Sequence, residues 1–101
     1  LTVHGVNQNE DGSFSWKFDN YVRVFPQTGL SEAQVAGLWE RITCPVLHVQ
    51  GTESWASDPE ADGRAVRFQD ARVVNFEGAG HWAHHDRTED FVALVRDFLK
   101  E

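Results

Sequence analysis

The chain has 101 residues and carries 9 basic against 16 acidic side chains, for a net charge of −7. Its length suits one small domain that buries on the order of two-thirds of its unfolded surface, and a content of 41% hydrophobic and 12% aromatic residues excludes a disordered chain. The acidic balance argues against nucleic acid or an anionic membrane as partner, because both require a basic footprint.

Residues 1–30 are irregular and aromatic. Two short runs, Leu1–Val6 and Ser13–Phe18, flank the polar stretch Asn7–Gly12. Ser13–Phe18 alternates small or polar residues with Phe14, Trp16 and Phe18, the period-two signature of a half-buried strand. Asp11-Gly12 is a turn pair, so a hairpin with a loose loop is expected. Pro26 and Gly29 then punctuate a loop.

From Ser31 the elements alternate regularly. Ser31-Glu-Ala-Gln34 is a capping-box pattern, and Val35, Leu38, Trp39 and Ile42 follow at helical spacing, which predicts a helix over about 31–41. Cys44-Pro45 leads into the β-branched run Val46-Leu-His-Val-Gln50, which stops at Gly51 and suits a strand buried on both faces. Cys44 is alone, which excludes an internal disulfide and a Cys-rich zinc site; with no basic neighbour it reads as a packing residue rather than a nucleophile. His48, mid-strand, is expected to be buried and hydrogen-bonded. Ser57-Asp-Pro59 offers a cap with proline in the first turn, predicting a helix over about 59–69. Ala71–Phe76 reads as a second strand. Thr88 is placed to cap a last helix in which Phe91, Leu94, Val95, Phe98 and Leu99 form an amphipathic stripe. Strand, helix, strand with short connections implies a right-handed parallel unit. Two parallel strands rarely stand alone, so the architecture looks like one end of a larger sheet.

The segment with the richest chemistry is Gly78-Ala-Gly-His-Trp-Ala-His-His-Asp86, between the second strand and the last helix. Catalytic groups of open α/β sheets gather beyond the carboxyl ends of the strands. The small residues before His81 let the chain turn sharply, and imidazole is suited to shuttling a proton near neutral pH.

Strand Pro45–Gln50, an acid-bearing loop, a helix, strand Arg72–Phe76, Gly78-Ala-Gly-His81 and a terminal amphipathic helix together resemble the C-terminal part of an α/β-hydrolase. The resemblance covers about residues 32–101, implying an α/β fold in which this βαβα stretch is the end of a parallel sheet with flanking helices. It implies that residues 1–30 are the closing part of a cap with its hairpin. It also implies that His81 is the catalytic base, serving a nucleophile on an earlier strand and then activating water, with an acid after the penultimate strand orienting the imidazole.

Two departures stand out. The nucleophile elbow Gly-x-Ser/Asp-x-Gly is absent, and Ser13, Ser31, Ser54 and Ser57 lack both flanking glycines and a strand–turn–helix context. The chain is therefore expected to be a truncated hydrolase, inactive alone. Where the family usually places Asp, three residues after the strand's glycine, Gly51 leads to Ser54. Glu53 and Asp58 are the candidate acids nearby, Asp58 doubling as a helix cap with Ser57; an acid carried after an earlier strand is the third alternative.

Trp82 and Trp55 are candidate walls of a substrate pocket, each with packing as the plainer reading. Trp16, Phe14 and Phe18 read as core rather than as a cap pocket. His84, His85 and Asp86 are a weak metal set, and neither metal nor cofactor is expected. No apolar run approaches the roughly 18 residues of a membrane span, Leu1–Glu10 lacks a signal-peptide pattern, and a cytoplasmic location is the default. The resemblance implies hydrolysis of a small, fairly apolar substrate, a carboxylic ester before an epoxide, a haloalkane or a diketone. A complementary N-terminal portion is the expected partner. The competing reading is a non-catalytic module that pairs with another chain or self-associates through its exposed strand edge.

Overall fold

The computed structural model describes residues 2–24 and 29–100, which divide into two compact units, Leu1–Leu30 and Ser31–Glu101. The loop reading at Pro26 lies outside the described residues. In the first unit a single helical turn, α1 (Thr2–Gly5), precedes an antiparallel hairpin of β1 (Val6–Gln8) and β2 (Phe14–Trp16), with Val6 opposite Trp16 and Gln8 opposite Phe14. The hairpin sits where the turn pair predicts it, but β2 is shorter than the Ser13–Phe18 alternation. Its loop closes on side chains: the Asp11 carboxylate accepts from both the amide (2.9 Å) and the hydroxyl (2.6 Å) of Ser13. Those bonds, the hydroxyl first, hold the Asp11 carboxyl below its ordinary value. Beyond β2, a 3₁₀ turn spans Asn20–Arg23.

The second unit is built on a parallel pair, β3 (Val46–Gly51) and β4 (Ala71–Phe76), in register from Val46–Ala71 to Gly51–Phe76. Alternate side chains of a strand face opposite sides, so Val49 and Val74 share a face with Phe76, while His48 and Gln50 share the other with Val73 and Asn75. The first face is covered by α4 (Thr88–Lys100): Phe91 and Leu94 pack with Val49 and Val74 on the buried cluster Phe76, Ala79 and Ala83. Leu99, expected in the same stripe, is 74% exposed and takes no part in the cluster that Phe91 and Leu94 cover.

On the opposite face, α2 (Glu32–Trp39) carries the full capping box, with the Ser31 hydroxyl accepting from the Gln34 amide at 3.2 Å and the Gln34 side chain accepting from the Ser31 amide at 2.8 Å. Trp39 stacks on Phe68 at 5.5 Å, and Phe68 meets the His48 ring edge-on at 4.9 Å. His48 departs from expectation: its Nε2 is buried without a hydrogen-bond partner among the described residues. Cys44 is exposed rather than packed.

The crossover differs most from its sequence reading. Instead of a helix over 59–69 it contains turns and one 3₁₀ segment, Ala65–Arg67. Short polar side chains compete for the backbone there: Asp58 accepts from the Glu60 amide (2.8 Å) and Asp62 from the Arg64 amide (3.0 Å). Gly63 adopts φ +82°, a left-handed conformation that ends any helix. The Thr88 cap is also corrected. A short α3 (Ala83–Asp86) precedes α4, and the Thr88 hydroxyl donates backwards to the carbonyls of His84 (2.8 Å) and His85 (3.1 Å). Those carbonyls are the unsatisfied groups of the preceding helix end.

Candidate active site

The site forms where the loops after β3 and β4 meet, at the carboxyl ends of both strands. Gly51 closes β3 against the other loop: a Cβ there would overlap the carbonyl oxygens of Ala79 and Gly80. With glycine in place, the loops are laced together. The Thr52 amide donates to the Phe76 carbonyl (3.0 Å) and the Glu53 amide to the Ala79 carbonyl (2.9 Å). The Gly78 amide donates to the Thr52 hydroxyl at 2.8 Å. From the other side, the Asp86 carboxylate accepts the Gly80 amide at 2.7 Å. Four hydrogen bonds thus pin the residues that flank His81.

His81 itself is exposed at this junction. Its Nδ1 lies 2.9 Å from the Ser54 hydroxyl oxygen. Trp55 stacks on the imidazole with centroids 4.3 Å apart and planes 26° from parallel. Among the described residues Nε2 carries no hydrogen bond, so one ring nitrogen is held and the other is left without a partner there. Trp82 lies 6.4 Å from the His81 ring, tilted by 59°, and its carbonyl accepts the His85 amide (2.8 Å) at the start of α3. Of the two candidate pocket walls, Trp55 is therefore the one that covers the imidazole face.

Neither candidate acid is hydrogen-bonded to His81 among the described residues. Asp58 accepts from the Asn75 side chain (3.1 Å) and from the Glu60 amide, which ties it to the sheet face opposite α4. Glu53 contributes its backbone amide to the loop lacing. The group on His81 Nδ1 is Ser54, the residue standing where the family usually carries aspartate. Ser54 lacks the context of a nucleophile elbow; its place three residues after Gly51 is the one feature of the sequence that marks it for this contact.

Beside His81 lies a cavity of about 190 Å³, bordered by His48, Gln50, Ser54, Ser57 and Arg64. The Gln50 side chain donates to the Ala56 carbonyl at 2.7 Å, and Arg64 donates to the Ser57 carbonyl at 2.7 Å, so polar ties hold its rim. The Ser57 hydroxyl donates to Asp62 at 2.6 Å. This bond outweighs the opposing desolvation and, with smaller contributions from the Arg64 amide and guanidinium, holds the Asp62 carboxyl below its ordinary value. No group of three or more His, Cys, Asp or Glu side chains among the described residues is arranged to hold a metal ion. His84 packs edge-on with His85 at 4.4 Å and leans on Phe91, while Asp86 is engaged with Gly80. No described helix is long and apolar enough to cross a membrane.

Comparison with known proteins agrees with this architecture. A family model described as the alpha/beta hydrolase family matches residues 3–94. The chain is 28% identical over 97 residues to the sn-1-specific diacylglycerol lipase ABHD11 of Mus musculus, covering 87% of this chain and 28% of that protein. It is 30% identical over 67 residues to the esterase YbfF of Escherichia coli (strain K12), covering 62% of this chain and 26% of that protein. Among solved structures, a marine microorganism esterase superposes with a TM-score of 0.60 at 24% identity, over 95% of this chain and 37% of the other, a likeness of fold. The chain thus spans about a quarter to two-fifths of the proteins it matches.

Proposed function

The chain belongs to the alpha/beta hydrolase family, whose model matches residues 3–94, and we propose that it supplies the general base of an ester hydrolase whose nucleophile lies on a segment outside these 101 residues. One observation carries this reading: a loop pinned at the carboxyl end of a parallel pair presents an exposed His81 with Nδ1 held on Ser54 and Nε2 without a hydrogen bond among the described residues. An imidazole so held can take a proton from a nucleophile at Nε2 and return it to the leaving alkoxide. It can then activate water against the acyl-enzyme. Trp55 shields one face of the ring and offers an apolar wall to a small, fairly apolar ester. Residues 1–30 would supply the end of a cap. The lipase and esterase named among the relatives support ester chemistry.

The test is hydrolysis of short-chain p-nitrophenyl esters. The 101-residue chain is expected to show no turnover, and a protein that joins it to a nucleophile-bearing N-terminal portion is expected to hydrolyse the ester. In that longer protein His81→Ala should lower kcat by about 10²–10⁴-fold, the range supplied by a positioned base. A His81→Ala variant at the parental rate would overturn the assignment. The second reading, a non-catalytic module, draws on the two-stranded parallel sheet, whose outer strand edges have no partner strand among the described residues. A single defined oligomer of the 101-residue chain in native mass spectrometry, with no hydrolysis in the longer protein, would favour it.

A further inference from the structure

We propose that Ser54 is a positioning residue for His81, a hydroxyl doing the orienting work of the family's carboxylate: its oxygen accepts Nδ1–H and so keeps Nε2 unprotonated for the reacting centre. This deepens the reading of His81 as base and rests on it. The contact spans 27 positions of sequence and joins two loops, so it depends on both being fixed. They are fixed by the Glu53–Ala79 and Gly78–Thr52 bonds and by the close approach at Gly51. Ser54 is held in turn by its own amide, which donates to the Gly51 carbonyl at 3.0 Å. Its hydroxyl oxygen also accepts the Ala56 amide at 3.1 Å.

A hydroxyl has two lone pairs and one proton. The Ala56 amide uses one pair and the second is open to Nδ1–H, with the hydroxyl's own proton turned to solvent at this exposed contact, while Trp55 stacked on the ring restricts its rotation. Neither neighbouring carboxylate makes this bond: Asp58 is tied to Asn75, and Glu53 enters the lacing through its backbone. A nucleophilic role for Ser54 fits poorly. Its oxygen contacts Nδ1, not the Nε2 at which the proposed base takes its proton, and it is anchored by the Ala56 amide.

Nitrogen-15 NMR of histidine-labelled protein at about pH 8.5, where an ordinary imidazole is neutral, reads the tautomer directly; His81→Gln assigns the signal. The parent chain should show His81 as the Nδ1–H form. Ser54→Asp, whose ionised carboxylate can only accept, and Ser54→Thr should keep that form, whereas Ser54→Ala should lose the bias toward it. An Nε2–H form in the parent overturns the proposal whatever the variants do, and so does an unchanged tautomer in Ser54→Ala. A fluorophosphonate adduct on Ser54 in intact-mass analysis would overturn it too, by making Ser54 the nucleophile. The tautomer is read without turnover. A longer protein lacking His81-dependent hydrolysis would therefore remove the proposed function while the NMR result separately decides the Ser54 contact.

Discussion

Residues 2–30 and residues 31–100 both place large apolar side chains at strand spacing, yet only the second stretch buries any among the described residues. Phe14 and Trp16 in the hairpin are 66% and 55% exposed, although Trp16 and Phe18 stack at 5.3 Å. Phe76, at the end of β4, is 8% exposed beneath Ala79, Ala83, Phe91 and Leu94. The alternation is similar, and the difference is a second layer. Periodicity assigns a side chain to a face; burial needs something packed on that face. The aromatic stripe read as core in the sequence is therefore corrected to an exposed face in the first unit.

The largest test of that contrast is a pair of truncations. Phe76→Ala should cost about 3–5 kcal/mol in urea denaturation, and Phe14→Ala should stay within about 0.5 kcal/mol, as for an exposed position. Equal losses would break the comparison. Next in size, Gly51→Ala should cost about 1–3 kcal/mol, because the new methyl must displace the Ala79–Gly80 carbonyls. Its mark would be local, with shifts at Ala79 to His81 in an amide NMR spectrum rather than in the hairpin. Smaller again, Ser31→Ala removes the capping box of α2 and should cost about 1 kcal/mol, measured as a lowered denaturation midpoint.

The smallest effect concerns pH. The Asp62 carboxyl sits below its ordinary value of 3.8, chiefly through the Ser57 hydroxyl. A depressed carboxylate contributes stability that is fully present above its unfolded value and is lost as pH falls through the lower folded value. Tightening of the 57–64 loop should therefore persist from neutral pH down to about 4 and fade below it. In Asp62→Asn that acid-side dependence should vanish from the chemical shifts of Ser57 and Arg64.

Much of the second unit was legible in the residues. Ser31 and Gln34 announced α2, the β-branched run before Gly51 announced β3, and Phe91, Leu94, Val95 and Phe98 announced α4, since each signal is local to its element. The failures share a cause as well. The crossover over 59–69 opens on a cap with proline in the first turn, but Asp58, Asp62 and Ser57 found hydrogen bonds that compete with a helix, and Gly63 turned left-handed. Thr88 carries a capping side chain, but the preceding α3 left carbonyls for its hydroxyl to satisfy.

The candidate site divides in the same way. Sequence by itself determined the strands β3 and β4, the helices α2 and α4 and the small-residue turn before His81, because backbone freedom and apolar periodicity are properties of neighbouring residues. Only the tertiary structure decided what meets His81. Ser54 and Trp55 reach the imidazole because Gly51 lets two loops, far apart in the chain, approach until their backbones bond. Asp58 is drawn instead to the Asn75 side chain. Which polar group orients a base depends on distances a few ångströms in size between distant segments, and those are set by packing rather than by spacing along the chain.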